Sequence, residues 1–448
     1  MMRPNAGLIT NYVNERFQHY GHTKRQEVSR LLYEIAKREQ CDFTHIVEEY
    51  REKTNNFNQF KECLIKRRYP MAVEQYDRLP LSLPELNIND DWRVRLKTHH
   101  INPCKIFIER DVAASRLVCL MKNKFPDAAA EIIDSYHDHA KKTKFMISDY
   151  NSRGRYFYIV KEKFDFFKGC PCSHKSVRCG YHVINLGSGC LFECSYCYLQ
   201  DYINSPGIVF PANIEDFFEQ FKNYKQDIRI GSGELTDSLI FDHITEFSPL
   251  IVNFFKGYPK STFEFKTKSN NIDLLLTTQP AGNIVISWSV NSQKIIETTE
   301  FYTASLEERL KAAVACVRGG FKVAFHFDPI IYNAHWQDDY INLIDMIFDE
   351  IPAEHIAWVS LGTLRMTPRL KKIIENRFPE NTILDEEFVK GYDGKLRYPD
   401  YIRSNIYKTM LERIARRSKN TYVYLCMEEK SVCQTCAAPP LKEYNYRF

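Results

Sequence analysis

Cys190, Cys194 and Cys197 stand in the spacing Cys-x3-Cys-x2-Cys within GSGCLFECSYC. Structural zinc closes its tetrahedron with four protein ligands, whereas three thiolates leave a position open for chemistry. A [4Fe–4S] cluster held by three cysteines likewise keeps one iron free for a substrate or cofactor. The competing reading is zinc completed by a fourth thiolate from Cys170, Cys172 or Cys179. A further group, Cys426, Cys433 and Cys436, lies near the C-terminus, and Cys433-x2-Cys436 is also a ligand spacing. The triples Cys170/Cys172/Cys179 and Cys426/Cys433/Cys436 together form a candidate second metal site, for a second Fe–S cluster or zinc. The remaining five of the 14 cysteines, Cys41, Cys63, Cys104, Cys119 and Cys316, stand alone and are expected as small buried hydrophobes.

Such a loop needs rigid support. Tyr181–Leu186 (YHVINL) alternates like a strand, and Gly187-Ser188-Gly189 supplies a tight turn after it. Short β-rich runs at 181–186, 228–231, 262–267, 284–290, 322–328 and 356–361 alternate with amphipathic patterns such as Leu306, Leu310, Ala313 and Val314. That alternation predicts an α/β fold of parallel strands with helical crossovers. Upstream, KIFIERDV, a helix from Ser115 to Lys124 and AAEIID predict a small βαβ unit with no glycine-rich phosphate loop. Residues 1–78 read as helices, with Val28, Leu31, Leu32 and Ile35 on one face and a second apolar stripe at Ile46–Tyr50. Pro80 and Pro84 in LPLSLPELNINDD break the pattern. The expected organisation is a helical domain over 1–79, a linker over 80–102, the βαβ unit over 103–168, a barrel over 169–425 and a Cys-containing segment over 426–448.

The three-cysteine spacing, on the loop after a first strand and followed by an aromatic, resembles the signature of the radical S-adenosylmethionine (SAM) superfamily. The longer string GCLFECSYCYLQ resembles spore photoproduct lyase and its relatives more closely. Further segments match that family in order: Asp237, Asp242, His243 and Thr245 in GELTDSLIFDHIT, Lys268 in FKTKSNNIDLLL, Ser289 and Asn291 in ISWSVNS, then SLEERLKAAVACVRGGFKVAFHFDPIIY and HWQDDY. The likeness runs from about Cys104 to Cys426, and residues 1–100 fall outside it.

The resemblance implies a partial (β/α)6 radical SAM barrel with its catalytic apparatus at the C-terminal strand ends. Cys190, Cys194 and Cys197 would hold a [4Fe–4S] cluster whose fourth iron chelates SAM. One electron, from a donor such as flavodoxin or ferredoxin, would release a 5′-deoxyadenosyl radical that abstracts hydrogen. Ser232, Gly233 and Glu234 match the family's glycine-rich motif at the SAM amino group, and Lys268 and Ser289 match positions at its carboxylate. Tyr196 and Tyr198 match tyrosines that relay a hydrogen atom, with adenine stacking the other reading for Tyr196. His326, Asp328 and Arg365 are candidate substrate contacts. The lyase carries a hydrogen-donating Cys on the loop after the second strand; Glu234 stands there in this chain. A carboxylate O–H bond is too strong for that task, so either another Cys acts, with Cys426 the expected substitute, or the reaction differs.

The resemblance points to a DNA lesion or other nucleic-acid base as substrate. Two alternatives are a radical SAM enzyme modifying a peptide or small molecule with an auxiliary metal centre, and a non-catalytic zinc-binding nucleic-acid module. Composition does not choose: 61 Lys plus Arg against 57 Asp plus Glu leave a net charge of only +4. Arg16, Lys24, Arg25, Lys61, Lys66, Arg67 and Arg68 are either phosphate contacts or a solvated helix face. Hydrophobic content of 44% and charge of 26% exclude a disordered chain and a membrane bundle. No apolar run nears the roughly 18 residues of a spanning helix, and no signal-peptide core follows Met1. Unpaired clustered cysteines suit a reducing compartment, so a cytoplasmic protein is expected.

Overall fold

A computed structural model describes residues 3–51, 53–54, 56–77, 79–96, 101–142, 145–163, 167–172, 176–177, 179–203, 205–224 and 227–438. The chain divides into two compact units, one of Met1–Arg95, Ile331–Asn333 and Leu364–Arg403, the other of Leu96–Ile330, Ala334–Thr363 and Ser404–Phe448.

The larger unit is built on an eight-stranded sheet. Seven parallel strands follow one another across it in chain order: β1 (His182–Ile184), β2 (Arg229–Gly231), β3 (Thr262–Thr267), β4 (Ile284–Ser289), β5 (Lys322–Ile330), β6 (Ile356–Thr363) and β7 (Val423–Leu425). Phe167–Gly169 closes the β1 edge antiparallel. Helices such as Phe247–Phe255, Leu306–Arg318 and Trp336–Glu350 make the crossovers, which is what parallel neighbours require. The first six strands form the partial (β/α)6 barrel, and β7 extends it. Every residue of β4 and β6 is buried, as expected of strands covered on both faces. Helix Leu306–Arg318 opens on a capping box, with Ser305 and Glu308 each bonding the other's backbone N–H.

The barrel interior also holds charge. Alternate residues of a strand share a face, so Glu264, Lys266 and Lys268 run in one line along and just beyond β3. Glu264 accepts from Arg229 Nη2 at 2.8 Å and lies 2.6 Å from His326 Nε2. Arg229 stacks 3.7 Å above the Trp358 ring and donates to the Tyr424 hydroxyl at 3.0 Å. Burial, helped by Lys266, pushes His326 down to about 4, so its neutral ring donates to Glu264. His326, expected as a substrate contact, is thus engaged inside the barrel wall.

A second sheet in this unit orders its strands Ala129–Ile133, Lys105–Glu109, Tyr156–Val160 and Ile208–Pro211, all parallel. The small βαβ unit is therefore extended by a strand from 208–211, in the crossover between β1 and β2. Its short IVFP run shows no period that separates it from a helix fragment.

The other unit packs helices Ala6–Arg16, His22–Glu39, Phe43–Arg51 and Phe57–Arg68 around Val28, Leu31, Leu32 and Ile35, all fully buried. Leu364–Arg403 joins them with helix Pro368–Arg377 and a three-stranded antiparallel sheet. The 80–95 stretch, read as linker, folds into this unit: Leu86 is buried, and Arg30 donates to the carbonyls of Pro84 and Glu85. Glu34 is central, meeting Lys371 at 2.6 Å and Arg68 at 2.9 Å, while Arg30 bonds Glu375 at 2.5 Å. Several of the basic side chains weighed as phosphate contacts are paired: Arg67 with Glu39 and Glu49, Lys61 with Glu27, Lys66 with Glu62 and Arg68 with Glu34. Arg365 also belongs to this unit.

Candidate active site

The three-cysteine loop follows β1. At its entry Gly189 has φ +101°, and a Cβ there would meet the Ile208 side chain at 2.8 Å. Glycine is the residue for that conformation and that space. Cys190 and Cys194 are buried and Cys197 is half-buried. Two polar side chains set the loop's shape. Arg153, itself buried, donates from Nε to the Cys190 carbonyl at 2.5 Å and from Nη2 to the Phe192 carbonyl at 2.9 Å, and pairs with Glu193. Gln200 Nε2 lies 3.3, 3.0 and 3.0 Å from the carbonyls of Cys194, Ser195 and Cys197. These bonds satisfy backbone oxygens that a curled, buried loop would otherwise leave orphaned.

The far side of the loop is tied to 299–301. Glu193-Cys194 pairs antiparallel with Glu300-Phe301, and the Ser195 N–H donates to the Thr299 carbonyl at 2.7 Å. The Tyr196 hydroxyl donates to Glu300, which also accepts from Asn291 at 2.8 Å and pairs with Arg309 at 2.7 Å. Burial works against charge on Glu300, but Arg309 and Lys268 hold it at about 2. Tyr340 donates to Asn291 at 2.7 Å. Tyr196 is therefore anchored by a charged acceptor, whereas Tyr198 is partly exposed and donates to the Glu234 carbonyl.

Gly231-Ser232-Gly233-Glu234 ends β2 and turns over β3. A Cβ on Gly231 would lie 1.9 Å from the Tyr181 hydroxyl and 2.7 Å from the Glu264 carbonyl; one on Gly233 would lie 2.8 Å from Lys266 Cβ. The glycines thus answer a close approach within the chain. Ser232 is buried and its hydroxyl bonds Ser238 at 2.9 Å. Asp237 organises the turn, accepting from Thr267 Oγ1 and the Lys268 N–H at 2.7 Å each and from the N–H groups of Leu239 and Ile240 at 3.0 Å. It fixes the end of β3, from which Lys268 extends to 5.9 Å from the Tyr196 ring. Ser289, at the end of β4, is buried, and its carbonyl accepts from Arg309 at 2.8 Å.

Burial pushes all three loop thiols up; Cys197 adds to the rise at Cys190 and Cys194, and Cys190 to that at Cys194, so the three lie within electrostatic reach around Cys197. Lys268 opposes that rise at Cys194 and Cys197, and Arg153 at Cys190 and Cys197. A metal centre would take the three as thiolates, and Lys268 and Arg153 would offset part of the charge they then carry. Among the described residues no three His, Cys, Asp or Glu side chains gather closely enough for one metal ion. A four-iron cluster asks for something wider, since each thiolate binds a different iron, and the three-cysteine loop fits that donor set.

The other cysteines divide. Cys172 Sγ lies 3.4 Å from Cys170 Sγ, and Cys179 and Cys426 are within electrostatic reach of Cys170. Cys433 lies on the short helix Lys430–Thr435 and Cys436 caps its end. Among the described residues no three of the six gather closely enough for one metal ion. Of the five isolated cysteines only Cys316 is buried; Cys104 and Cys119 are exposed, a correction that burial statistics for the residue type could not foresee.

A partial barrel whose first strand hands over to a three-cysteine loop, with a glycine-rich turn after the second, is the architecture of radical SAM enzymes. The profile of the spore photoproduct lyase family matches residues 172–426. Spore photoproduct lyase of Geobacillus sp. (strain Y412MC61) is 28% identical over 249 residues, 52% of this chain and 73% of that protein. The lyase of Bacillus subtilis (strain 168) is 26% identical over 251 residues, 54% of this chain and 72% of that protein. A solved spore photoproduct lyase complexed with dinucleoside spore photoproduct shares the fold, with a TM-score of 0.63 at 22% identity over 73% of this chain and 99% of that one. A mutant lyase with bound AdoMet and dinucleoside spore photoproduct gives 0.62 at 22% identity, over 72% and 99%.

The chain belongs to the spore photoproduct lyase family. It is a radical SAM enzyme whose cofactors are a [4Fe–4S] cluster and S-adenosylmethionine. The non-catalytic zinc module is thereby set aside. Among the described residues no helix is long and apolar enough to cross a membrane.

Sequence reasoning missed Arg153, Gln200, Glu300 and Arg309, which hold the loop. Gln200 had a signal, since it closes the matched string; Arg153 had none, being 37 positions from its Cys190 acceptor.

Proposed function

We propose that this enzyme uses its cofactors to abstract a hydrogen atom from a lesion in DNA, with Cys190, Cys194 and Cys197 holding the cluster. When bound, the cluster and SAM together supply a 5′-deoxyadenosyl radical. Gly231–Glu234 contributes backbone and carboxylate acceptors to the SAM ammonium, and Lys268 and Ser289 pair with its carboxylate. Tyr196, anchored on Glu300, walls the adenine side. A flavodoxin or ferredoxin is the electron donor.

The observation that carries the DNA reading is the lysine line inside the barrel. Lys266 on β3 and Lys268 just beyond it continue the line begun by Glu264, at alternate positions. Lys268 lies by the cluster loop. Lys266 is left to meet a second anion, and a phosphodiester brought in with an unstacked base supplies one. The reading is tested by anaerobic reconstitution with SAM and dithionite, with and without dinucleoside spore photoproduct or irradiated DNA. The expected outcome is lesion-dependent 5′-deoxyadenosine with restoration of thymine. SAM cleavage indifferent to every DNA lesion would overturn it and favour a peptide or small-molecule substrate.

A further inference from the structure

By the family resemblance Glu234 stands where hydrogen return to the product would need a weak X–H bond, and the barrel's antiparallel edge strand leads into another group that has one. Cys170 and Cys172 follow the edge strand Phe167–Gly169, both half-buried, with their sulfurs 3.4 Å apart. Their backbone is fixed: the Cys170 N–H donates to the Tyr181 carbonyl at 2.8 Å and the Cys172 N–H to the Cys170 carbonyl at 2.7 Å. The pair sits beside the site. Lys168, on the same edge strand, reaches Glu234 at 3.8 Å, and Cys170 is within electrostatic reach of Tyr198, whose hydroxyl bonds the Glu234 carbonyl.

We propose that the Cys170–Cys172 pair is the hydrogen-atom donor of this enzyme, a dithiol that quenches the product radical and is oxidised to a disulfide in doing so. The assignment rests on the reading of a DNA-lesion substrate given above. Hydrogen transfer breaks the Cys170 S–H bond and forms a C–H bond on the product carbon radical, leaving a thiyl radical at Cys170. Cys172 loses its proton to solvent and joins that sulfur, giving a disulfide radical anion. The extra electron passes to the oxidised form of a flavodoxin- or ferredoxin-class carrier, leaving a neutral disulfide. A dithiol reductant then resets the pair with two electrons and two protons.

One feature favours this pair over Cys426. Its neighbouring sulfur is already in contact at 3.4 Å, so the thiyl radical has a partner two residues away. Cys426 instead ends β7, with its N–H on the Leu361 carbonyl.

The test uses the reconstituted holoenzyme in D2O with dinucleoside spore photoproduct, where exchangeable thiols carry deuterium. Product deuteration is read by mass spectrometry, and the Gly169–Lys175 tryptic peptide is read for an internal disulfide after a single turnover. The wild type is expected to deuterate thymine and to form the disulfide in proportion to product. Cys170→Ser and Cys170→Ala should each lower the label ~10-fold or more, with cluster absorbance showing that the fold is kept. Cys172→Ser should keep the label and lose the disulfide, and Cys119→Ser should change neither. Glu234→Cys added to Cys170→Ser should restore the label. Undiminished label in both Cys170 variants, no disulfide in the wild type, or zinc or additional iron bound to the pair overturns the donor assignment alone. Absence of lesion-dependent 5′-deoxyadenosine in the wild type overturns the DNA reading, and the donor assignment with it.

Discussion

Arg153 donates from Nε to the carbonyl oxygen of Cys190 at 2.5 Å, so a residue of the small parallel-sheet region sets the curvature of the loop that carries the cluster thiols. The same guanidinium serves Phe192, Tyr150 and Glu193. A planar group with five donors is suited to that geometry in a way an ammonium is not.

Replacing Arg153 by Lys or Ala is therefore expected to lower cluster loading. Glu193 would be left buried beside orphaned carbonyls, a cost of about 3–5 kcal/mol for a broken buried pair. Iron and sulfide content after reconstitution should fall to less than half of the wild-type value in both variants. Full loading of Arg153→Lys would show that charge alone suffices.

Gly231→Ala is expected to destabilise the barrel unit by about 1–3 kcal/mol, through overpacking against Tyr181 and Glu264. Tyr181→Phe in the same chain should return only part of the loss, because the Glu264 carbonyl at 2.7 Å is backbone and cannot swing away. Thermal midpoints of the two variants and of Tyr181→Phe alone measure this. Complete rescue would place the whole conflict on the tyrosine hydroxyl.

Lys266→Met and Lys268→Met should separate. The first is expected to weaken binding of lesion-containing DNA and to reduce its salt slope by about 0.7–0.9, the loss of one phosphate contact. The second should weaken SAM binding and leave that slope in place. Titrations of DNA at several salt concentrations, and of SAM by calorimetry, give the two quantities independently; equal effects of both variants on the slope would contradict the division of roles.

Acid should loosen the helical unit through Glu34. Burial opposes its charge, yet Lys371, Arg68 and Arg30 hold it at about 2 against an ordinary 4.5. A carboxylate lowered on folding stabilises at pH values above 4.5 and loses that contribution as pH falls toward 2, here about 3 kcal/mol. The thermal midpoint of the wild type should drop steeply below pH 4.5. Glu34→Gln should start lower at neutral pH and show a shallower decline.

Much of the barrel was legible because its signals are local. The β-rich runs carried their own period, and three cysteines within eight positions announced a cluster loop without reference to any other part of the chain. The strand Ile208–Pro211 was not legible: whether IVFP pairs with Tyr156–Val160 is decided by a sheet edge far away in sequence. The joining of Leu364–Arg403 to the N-terminal helices was hidden for the same reason, since Glu34 meets Lys371 across 337 positions.

The sequence by itself determined the chemistry that can occur: which thiols stand at cluster spacing, and, through the family resemblance, that Glu234 stands at the position of a donor cysteine. Tertiary structure decided which groups serve that chemistry. It turned His326 to Glu264, brought Arg153 onto the Cys190 carbonyl, and set Cys170 and Cys172 at 3.4 Å beside the Glu234 turn. Spacing along a chain fixes only what neighbours can do together, and hydrogen bonds between distant segments form only after parallel strands have been closed over long loops.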